Sequence, residues 1–508
     1  MTVSAIAIGV AFTIGISAGS QAAPASGGPT APVATFTTHH AHGTQVPNGA
    51  REDSPISLAT GDRRKVSQPA LPTKICTIVS ANLAMDDRRA GDNDEKNPPD
   101  TTRIQSALDS CAPSAGQTVG VELAASWSGA DFLSGPLTLR TGEVLVLDSD
   151  VTLAASRNPT NYQSASGAPC GTIALTENGC VPFITAVSHS AIESIESDDG
   201  HQGTIDGRGD QTILGQNLTW WQLARNAKAG GYQNVPRLVQ ATGVDDVTLY
   251  HVDLVNAPGF HVSFKNGDGF TAWGVRITTP AIARNTDGID PAGAMDVTIT
   301  HSWIMDGDDG IAIKGGSEPS AHITITDDHF YGTHGISIGS ETNSGVNDVL
   351  VADDTLSGVD TLGETSASPA GVRIKSSPVA GGLVDQVTFQ NICVEYAKAP
   401  MTFDTRYGGK SGSTTPWFTN IVVDGFRAAN SLPNASVTLN GLDIDHPLLI
   451  SLSRITIDAP TVIATNANIL DAGSAFGGRS IPSDGPSVHI TERPSRGDAP
   501  ACVFPRFP

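Results

Sequence analysis

Positive charge is scarce in this chain. Its 508 residues hold 30 Lys and Arg against 52 Asp and Glu, a net charge of −22, which argues strongly against nucleic-acid binding, since that needs a basic footprint. Long apolar runs are scarce too. After residue 23 no stretch reaches the roughly 18 apolar residues of a membrane-spanning helix, so the body of the chain is not expected to meet a membrane. Helical spacing is confined to one clear segment, Asp100 to Cys111, with Asp100 as cap and Ile104, Ala107, Leu108 and Cys111 on one face. Cysteines number only six. Cys170 and Cys180 are close enough in sequence to suggest one bridge, and Cys76 with Cys111 would tie the helix to the first strand. Cys393 with Cys502 would then remain to stake down the tail, although sequence alone leaves the pairing open.

The amino-terminal part carries no periodicity. Residues 1–23 are uncharged, rich in Ala, Ile, Val and Gly, and close on Ser20-Gln21-Ala22, the pattern of a secretory signal core and cleavage site without its basic n-region. A membrane anchor is the competing reading, disfavoured by the small and polar residues scattered through the run. Residues 24–70 are rich in Pro, Gly, Ser and Thr and read as a disordered leader. His39, His40 and His42 fall inside it and are read as tail residues, not as a metal site. The folded domain is assigned to residues 71–508. A secreted, extracellular protein would hold its cysteines oxidised.

What the folded part does contain is a repeat. An Asn, an Asp or a close variant precedes Val247-Thr248-Leu249, Val297-Thr298-Ile299, Ile323-Thr324-Ile325, Val349-Leu350-Val351, Val387-Thr388-Phe389 and Ile421-Val422-Val423. The steps are 50, 26, 26, 38 and 34 residues, the first dividing into 23 and 27 at Phe270. A strand-rich period in the twenties with insertions is the mark of a solenoid, here an all-β, single-domain parallel β-helix. The 54 glycines suit its many tight corners. A solenoid must close its open end, and the 100–111 helix is the candidate cap. Trp220-Trp221-Gln222-Leu223-Ala224 reads as a structural apolar insert in preference to a sugar-stacking platform.

Four polar islands interrupt this β-branched background: Asn285-Thr286-Asp287-Gly288, Gly307-Asp308-Asp309-Gly310, Gly332-Thr333-His334-Gly335 and Arg373-Ile374-Lys375. Taken singly, the first three are ordinary turns and the last a solvated strand face. Their separations of 21, 26 and 39 residues place them about one coil apart, so Asp287, Asp308, Asp309, His334, Arg373 and Lys375 should converge on one patch. Three crowded carboxylates cannot all ionise freely, and at least one should hold a proton. A protonated and an ionised carboxyl form the pair that glycoside hydrolysis needs. Arg373 and Lys375, two apart on a strand, face the same way and suit an anionic sugar. Asp308 and Asp309 are adjacent, so both can line a cleft only where the chain bends, and Gly307 and Gly310 make that bend plausible.

With those islands in order, the chain resembles the polygalacturonases among the glycoside hydrolases, above all the bacterial secreted members. The runs Ala283-Arg284-Asn285-Thr286-Asp287-Gly288-Ile289-Asp290-Pro291 and Gly335-Ile336-Ser337-Ile338-Gly339-Ser340-Glu341 carry the likeness, which extends from about Lys74 to about residue 470. The resemblance implies a right-handed parallel β-helix that hydrolyses α-1,4-galacturonosyl links of de-esterified pectin with inversion. It makes Asp308 the general acid, Asp287 and Asp309 the groups that hold and activate water, and His334 the support of the acid. Arg373 and Lys375 would bind substrate carboxylates, and Tyr407 matches the Tyr that follows the family's last island. Rhamnogalacturonan-cleaving relatives alter the first and third islands, and this chain does not.

The expected partner is therefore polygalacturonate, bound by a monomer without cofactor or metal. A polyanion seems ill matched to a charge of −22, but steering depends on the local field of a cleft, and a basic patch at Arg373 and Lys375 would supply it. Endo attack is favoured over exo by the likeness to bacterial endo-acting members. Two rivals stand beside this reading: a calcium-dependent lyase that uses the three aspartates as ligands, and a non-enzymatic β-helix of the adhesin kind.

Overall fold

The computed structural model describes residues 58–508 apart from 112, 114 and 115, so the signal segment and most of the expected leader lie outside the described residues. The sequence repeat is a ladder. Val247 pairs with Phe270, and the series continues through Val297, Ile323, Val349, Val387, Ile421 and Ile450, every step parallel. These side chains point inward and are buried in one continuous apolar core. Stacking at strand spacing, about 4.8 Å, lets each coil bury its apolar row on the next. The result is the expected right-handed parallel β-helix.

A typical coil contains three strands, such as Met295–Thr300 on a long face, Trp303–Met305 on a short face and Ile311–Ile313 on a third. Strands of the first two kinds join in one 23-stranded sheet, and the third face is an 11-stranded sheet running from Leu137–Thr138 to Thr461–Thr465. The polar residue that opens each sequence repeat has a structural task. Asp246, Asp296, His322, Asp348, Gln386 and Asn420 all adopt positive φ and turn the chain just before the apolar triplet. A second column of positive-φ residues, including His251, Gly274, His301, Asp327 and Asp353, forms the corner between the long and short faces. Asn, Asp, His and Gly enter that conformation at lower cost than branched residues.

The helix Thr101–Ser110 lies at the first coil, with Ile104 and Leu108 fully buried in the core. Asp100 occupies its N-cap position but does not cap it. Its Oδ2 instead accepts the Leu133 N–H at 2.9 Å, and its Oδ1 pairs with Arg103. The helix Trp220–Ala227 is a structural insert, closed by a capping box between Thr219 and Gln222, with Trp220 buried. Three disulfides join Cys76 to Cys111, Cys170 to Cys180 and Cys393 to Cys502.

One stretch departs from the sequence reading. Residues 58–70, expected as the end of a disordered leader, run instead along the long face and are bonded to successive coils. Ala59 N–H donates to Thr388 Oγ1 at 2.9 Å, Gly61 N–H to Asp348 Oδ1 at 3.0 Å and Asp62 N–H to Thr324 Oγ1 at 2.9 Å. Arg63 pairs with Asp296 at 2.6 Å, Arg64 donates to Phe270 O at 2.7 Å and Gln68 to Tyr250 Oη at 2.9 Å. The middle threonines of the repeat face outward and accept this strap. Composition misled here because the ordering comes from distant coils, which a local window does not contain.

Candidate active site

The turns that precede successive strands of the 11-stranded sheet carry the polar islands. Asp287 precedes Ile289–Ala292, Asp308 and Asp309 precede Ile311–Ile313, and His334 precedes Ile336–Ser340. The turns are stitched to one another: Gly288 N–H donates to Asp309 O and Gly310 N–H to Gly335 O, both at 3.0 Å. Arg373 and Lys375 lie one coil further on in Ala370–Ser376, paired with Ser337 and Gly339. Tyr407 follows the next strand, its ring 5.5 Å from the Lys375 ammonium. The structure thus brings all seven expected residues to neighbouring coils of one face.

The adjacent aspartates both reach the site because the chain bends at 307–310. Gly307 is forced there by close packing, since a Cβ would stand 1.9 Å from Ala283 O. Asp308 N–H donates to Asp306 Oδ1 at 2.9 Å, and Asn285 Nδ2 donates to Asp308 Oδ2 at 3.1 Å. His334 Nδ1 lies 2.9 Å from Asp308 Oδ1. Asp309 turns the other way, toward the cations. Its Oδ2 receives Lys375 Nζ at 2.7 Å, and its Oδ1 accepts from Arg373 Nη2 and from Ser337 Oγ.

These surroundings separate the carboxyls. Burial raises Asp287 well above the ordinary Asp range, and the charges of Asp290 and Asp308 add to it. Its Oδ1 is buried with no hydrogen-bond partner among the described residues. Burial also opposes charge on Asp309, yet Arg373 and then Lys375 overcome it and hold this carboxyl well below the usual range. In Asp308 burial is outweighed by the hydrogen bond and charge of His334, and the carboxyl lies below its ordinary value. The site thus pushes Asp287 up and Asp308 and Asp309 down, so the three carboxyls differ in how readily each holds a proton.

Sequence reasoning passed over three polar groups in this site. Asp290 holds Lys314 Nζ at 2.5 Å, and burial lifts its carboxyl to about 6. Lys314 bridges Ala292 and directly follows Ile313, the partner of Ile338, as Gly339 follows Ile338 and pairs with Lys375, so its place within the coil was the missed signal. Asp306 is fully buried beneath the Asp308 turn, and burial raises its carboxyl well above the Asp range. Its inward position two residues before the catalytic-looking pair resembles any core-facing strand end, so no sequence cue marked it.

Asp308, Asp309 and His334 offer donor atoms within 4.8 Å of one another, the reach of a metal ion. The cluster fits a cation poorly, because both Asp309 oxygens already face Arg373 and Lys375. A divalent ion there would meet two positive charges at close range.

Comparison with known proteins agrees with the geometry. The model of glycosyl hydrolases family 28 matches residues 163–469. An endo-polygalacturonase of Pectobacterium carotovorum subsp. carotovorum is 37% identical over 404 residues, covering 79% of this chain and 91% of that one. A polygalacturonase of Ralstonia solanacearum is 36% identical over 474 residues, 84% of each chain. Among solved structures, the polygalacturonase from Erwinia carotovora superposes with a TM-score of 0.69 at 37% identity, covering 80% of this chain and 99% of that one. The exopolygalacturonase of Thermotoga maritima, at 19% identity and a TM-score of 0.56, shares the fold. A matched family model over most of the β-helix, and relatives aligned through the stretch that carries the polar islands, identify the chain as a member of glycosyl hydrolases family 28.

Proposed function

We propose that the protein is a secreted endo-polygalacturonase that hydrolyses α-1,4-galacturonosyl links of de-esterified pectin with inversion. The observation that carries this reading is the divided carboxylate set: Asp287 buried with an unbonded oxygen and pushed up, Asp309 paired with the buried cations Arg373 and Lys375 and held low. The likeness to bacterial endo-polygalacturonases supports the substrate and the endo mode. Three disulfides accord with export, and the enzyme acts as a monomer.

In this mechanism a galacturonate carboxylate docks on Arg373 and Lys375, with the Tyr407 ring beside the lysine. That anion offsets the positive charge, Lys375 included, that keeps Asp308 ionised. Asp308 then takes up the proton that Asp287 releases, through the crowded carboxyls, and His334 at Nδ1 holds it in place. Protonated Asp308 gives that proton to the leaving glycosidic oxygen. Asp287, now ionised, is the stronger base of the remaining pair, and it deprotonates water on the opposite face while Asp309 orients that water. The new bond forms on the face opposite the leaving group, hence inversion.

The test is incubation with polygalacturonate in the presence of EDTA, following reducing ends, viscosity and the ultraviolet absorbance of unsaturated product. Hydrolysis predicts reducing ends and a fast viscosity drop, no absorbance and indifference to EDTA. Absorbance that disappears with EDTA would overturn the mechanism in favour of β-elimination. Slow viscosity loss with steady release of small sugars would overturn the endo mode alone.

A further inference from the structure

A cavity of about 270 Å3 opens at the corner between the long and short faces and not on the cleft sheet. It is small beside drug-sized pockets of roughly 300–1,000 Å3, a size that suits a single sugar ring. Trp273 and Trp303 line it, both half-buried. The Trp273 ring is held by stacking on His301, centroids 4.7 Å apart and planes 8° from parallel. Trp303 is held against His329 at 4.3 Å. The floor is Gly274 of the corner column, where a Cβ would come within 2.3 Å of the His251 ring. Any other residue at 274 would displace that imidazole.

The chain's two terminal segments bound this aromatic row. Gln68 of the amino-terminal strap is one wall. Beyond Trp303 the row continues to Tyr331, which the carboxy-terminal tail covers: Phe507 lies 5.4 Å from the Tyr331 ring, and Tyr331 Oη donates to Pro505 O at 2.9 Å. The Cys393–Cys502 bridge pins that tail. Trp273 and the near side of Trp303 are the part of the row left accessible.

Polar groups around the indoles come in balanced kinds. His251 Nδ1 lies 3.1 Å from Glu196 Oε2, and Arg276 lies 3.7 Å from the other Glu196 oxygen. Arg276 is further braced by donation to Gly200 O at 2.7 Å. Gln202, only 5% exposed, donates to Gly274 O at 3.2 Å, and its Oε1 is buried with no hydrogen-bond partner among the described residues. An orphaned acceptor of this kind costs free energy unless something donates to it. A pyranose offers an apolar C–H face for an indole and hydroxyls that both donate and accept. Glu196 already offsets Arg276, so the cavity has no surplus charge for a uronate carboxylate.

We propose that this corner cavity is a non-catalytic saccharide site that takes a neutral pyranose unit of a polysaccharide. It would tether the enzyme to a carbohydrate matrix while the cleft works on the acidic chain. The site stands apart from the cleft, so its failure would leave the hydrolase reading untouched.

The test is affinity electrophoresis of the full chain in native gels containing β-1,4-galactan or, separately, polygalacturonate, in an Asp308→Asn background. The expected result is retardation by galactan, weakened about tenfold in apparent Kd, or about 1.4 kcal/mol, by Trp273→Ala and also by the milder, exposed-site change Glu196→Ala. Both changes placed in the unmodified enzyme should leave turnover of soluble oligogalacturonides intact. Absence of retardation by galactan, or retardation that neither change weakens, would overturn the proposal. Loss of retardation in polygalacturonate alone would overturn its neutral-sugar specificity. If Trp273→Ala fails to fold, Glu196→Ala decides.

Discussion

Two faces of this β-helix carry acidic clusters, and Asp287 on one behaves oppositely to Asp296 and Asp348 on the other. On the long face Asp296 and Asp348 are fully engaged. Asp296 holds Arg63, while Asp348 accepts from Thr60, Gly61 and His322. Both carboxyls lie below the ordinary Asp value: Asp296 chiefly through the Arg63 hydrogen bond, Asp348 because its hydrogen bonds outweigh burial. On the cleft face Asp287 has a buried oxygen without a partner and is pushed up. The scaffold and the residue type are the same. What separates Asp287 from Asp296 and Asp348 is that the fold leaves one of its oxygens without a hydrogen bond.

The largest effect that would test this contrast is on turnover. Asp308→Asn is predicted to lower kcat by roughly 10²–10⁴, the usual worth of a positioned general acid, while circular dichroism and the melting transition stay near those of the parent. Substantial residual activity would remove Asp308 from its role. Asp309→Asn should lose turnover and stability together, since it leaves Arg373 and Lys375 buried without their anion. A cost of roughly 3–5 kcal/mol in denaturant unfolding is expected.

On the long face the outcome should be the reverse. Asp348→Ala is predicted to cost about 2 kcal/mol through lost hydrogen bonds to a charged acceptor, with kcat of the folded enzyme unchanged. Altered kcat there would mean that the strap communicates with the cleft. Because the Asp348 carboxyl is depressed on folding, its contribution is present above the ordinary value of 3.8 and is lost as pH falls below it. The stability gap between Asp348→Ala and the parent should therefore narrow in acid.

Asp287→Asn should show the smallest stability effect and the opposite sign. Its carboxyl is raised on folding, so the stability linked to it is fully present below the ordinary value of 3.8 and is lost as pH rises through the folded value. The neutral amide avoids that loss. The variant is predicted to be inactive yet more stable than the parent at pH 7, with the two converging near pH 3 to 4. A less stable variant at neutral pH would count against an upward shift of the Asp287 carboxyl on folding.

Much of this molecule was legible before folding was considered. The apolar triplets beginning at Val247, Val297 and Ile323 are paired in the register their spacing implied, and Phe270 fills the gap assigned to it. A solenoid makes this possible because each residue's neighbours stand one period away in sequence. The strap was not legible. Residues 59–61 bond to Thr388 and Asp348, some 290 to 330 positions away, and no period links them.

The sequence by itself determined the coil, its period and the convergence of Asp287, Asp308, Asp309, His334, Arg373 and Lys375, since parallel stacking turns a repeat into a column. Tertiary structure alone decided which carboxyl is pushed up and which is held down. That choice depends on burial and on the distance to each charge, as in Asp309 between two cations and Asp287 with none bonded to it. Residue order along the chain does not contain those distances, because they arise only when separate coils press polar groups into one poorly hydrated space.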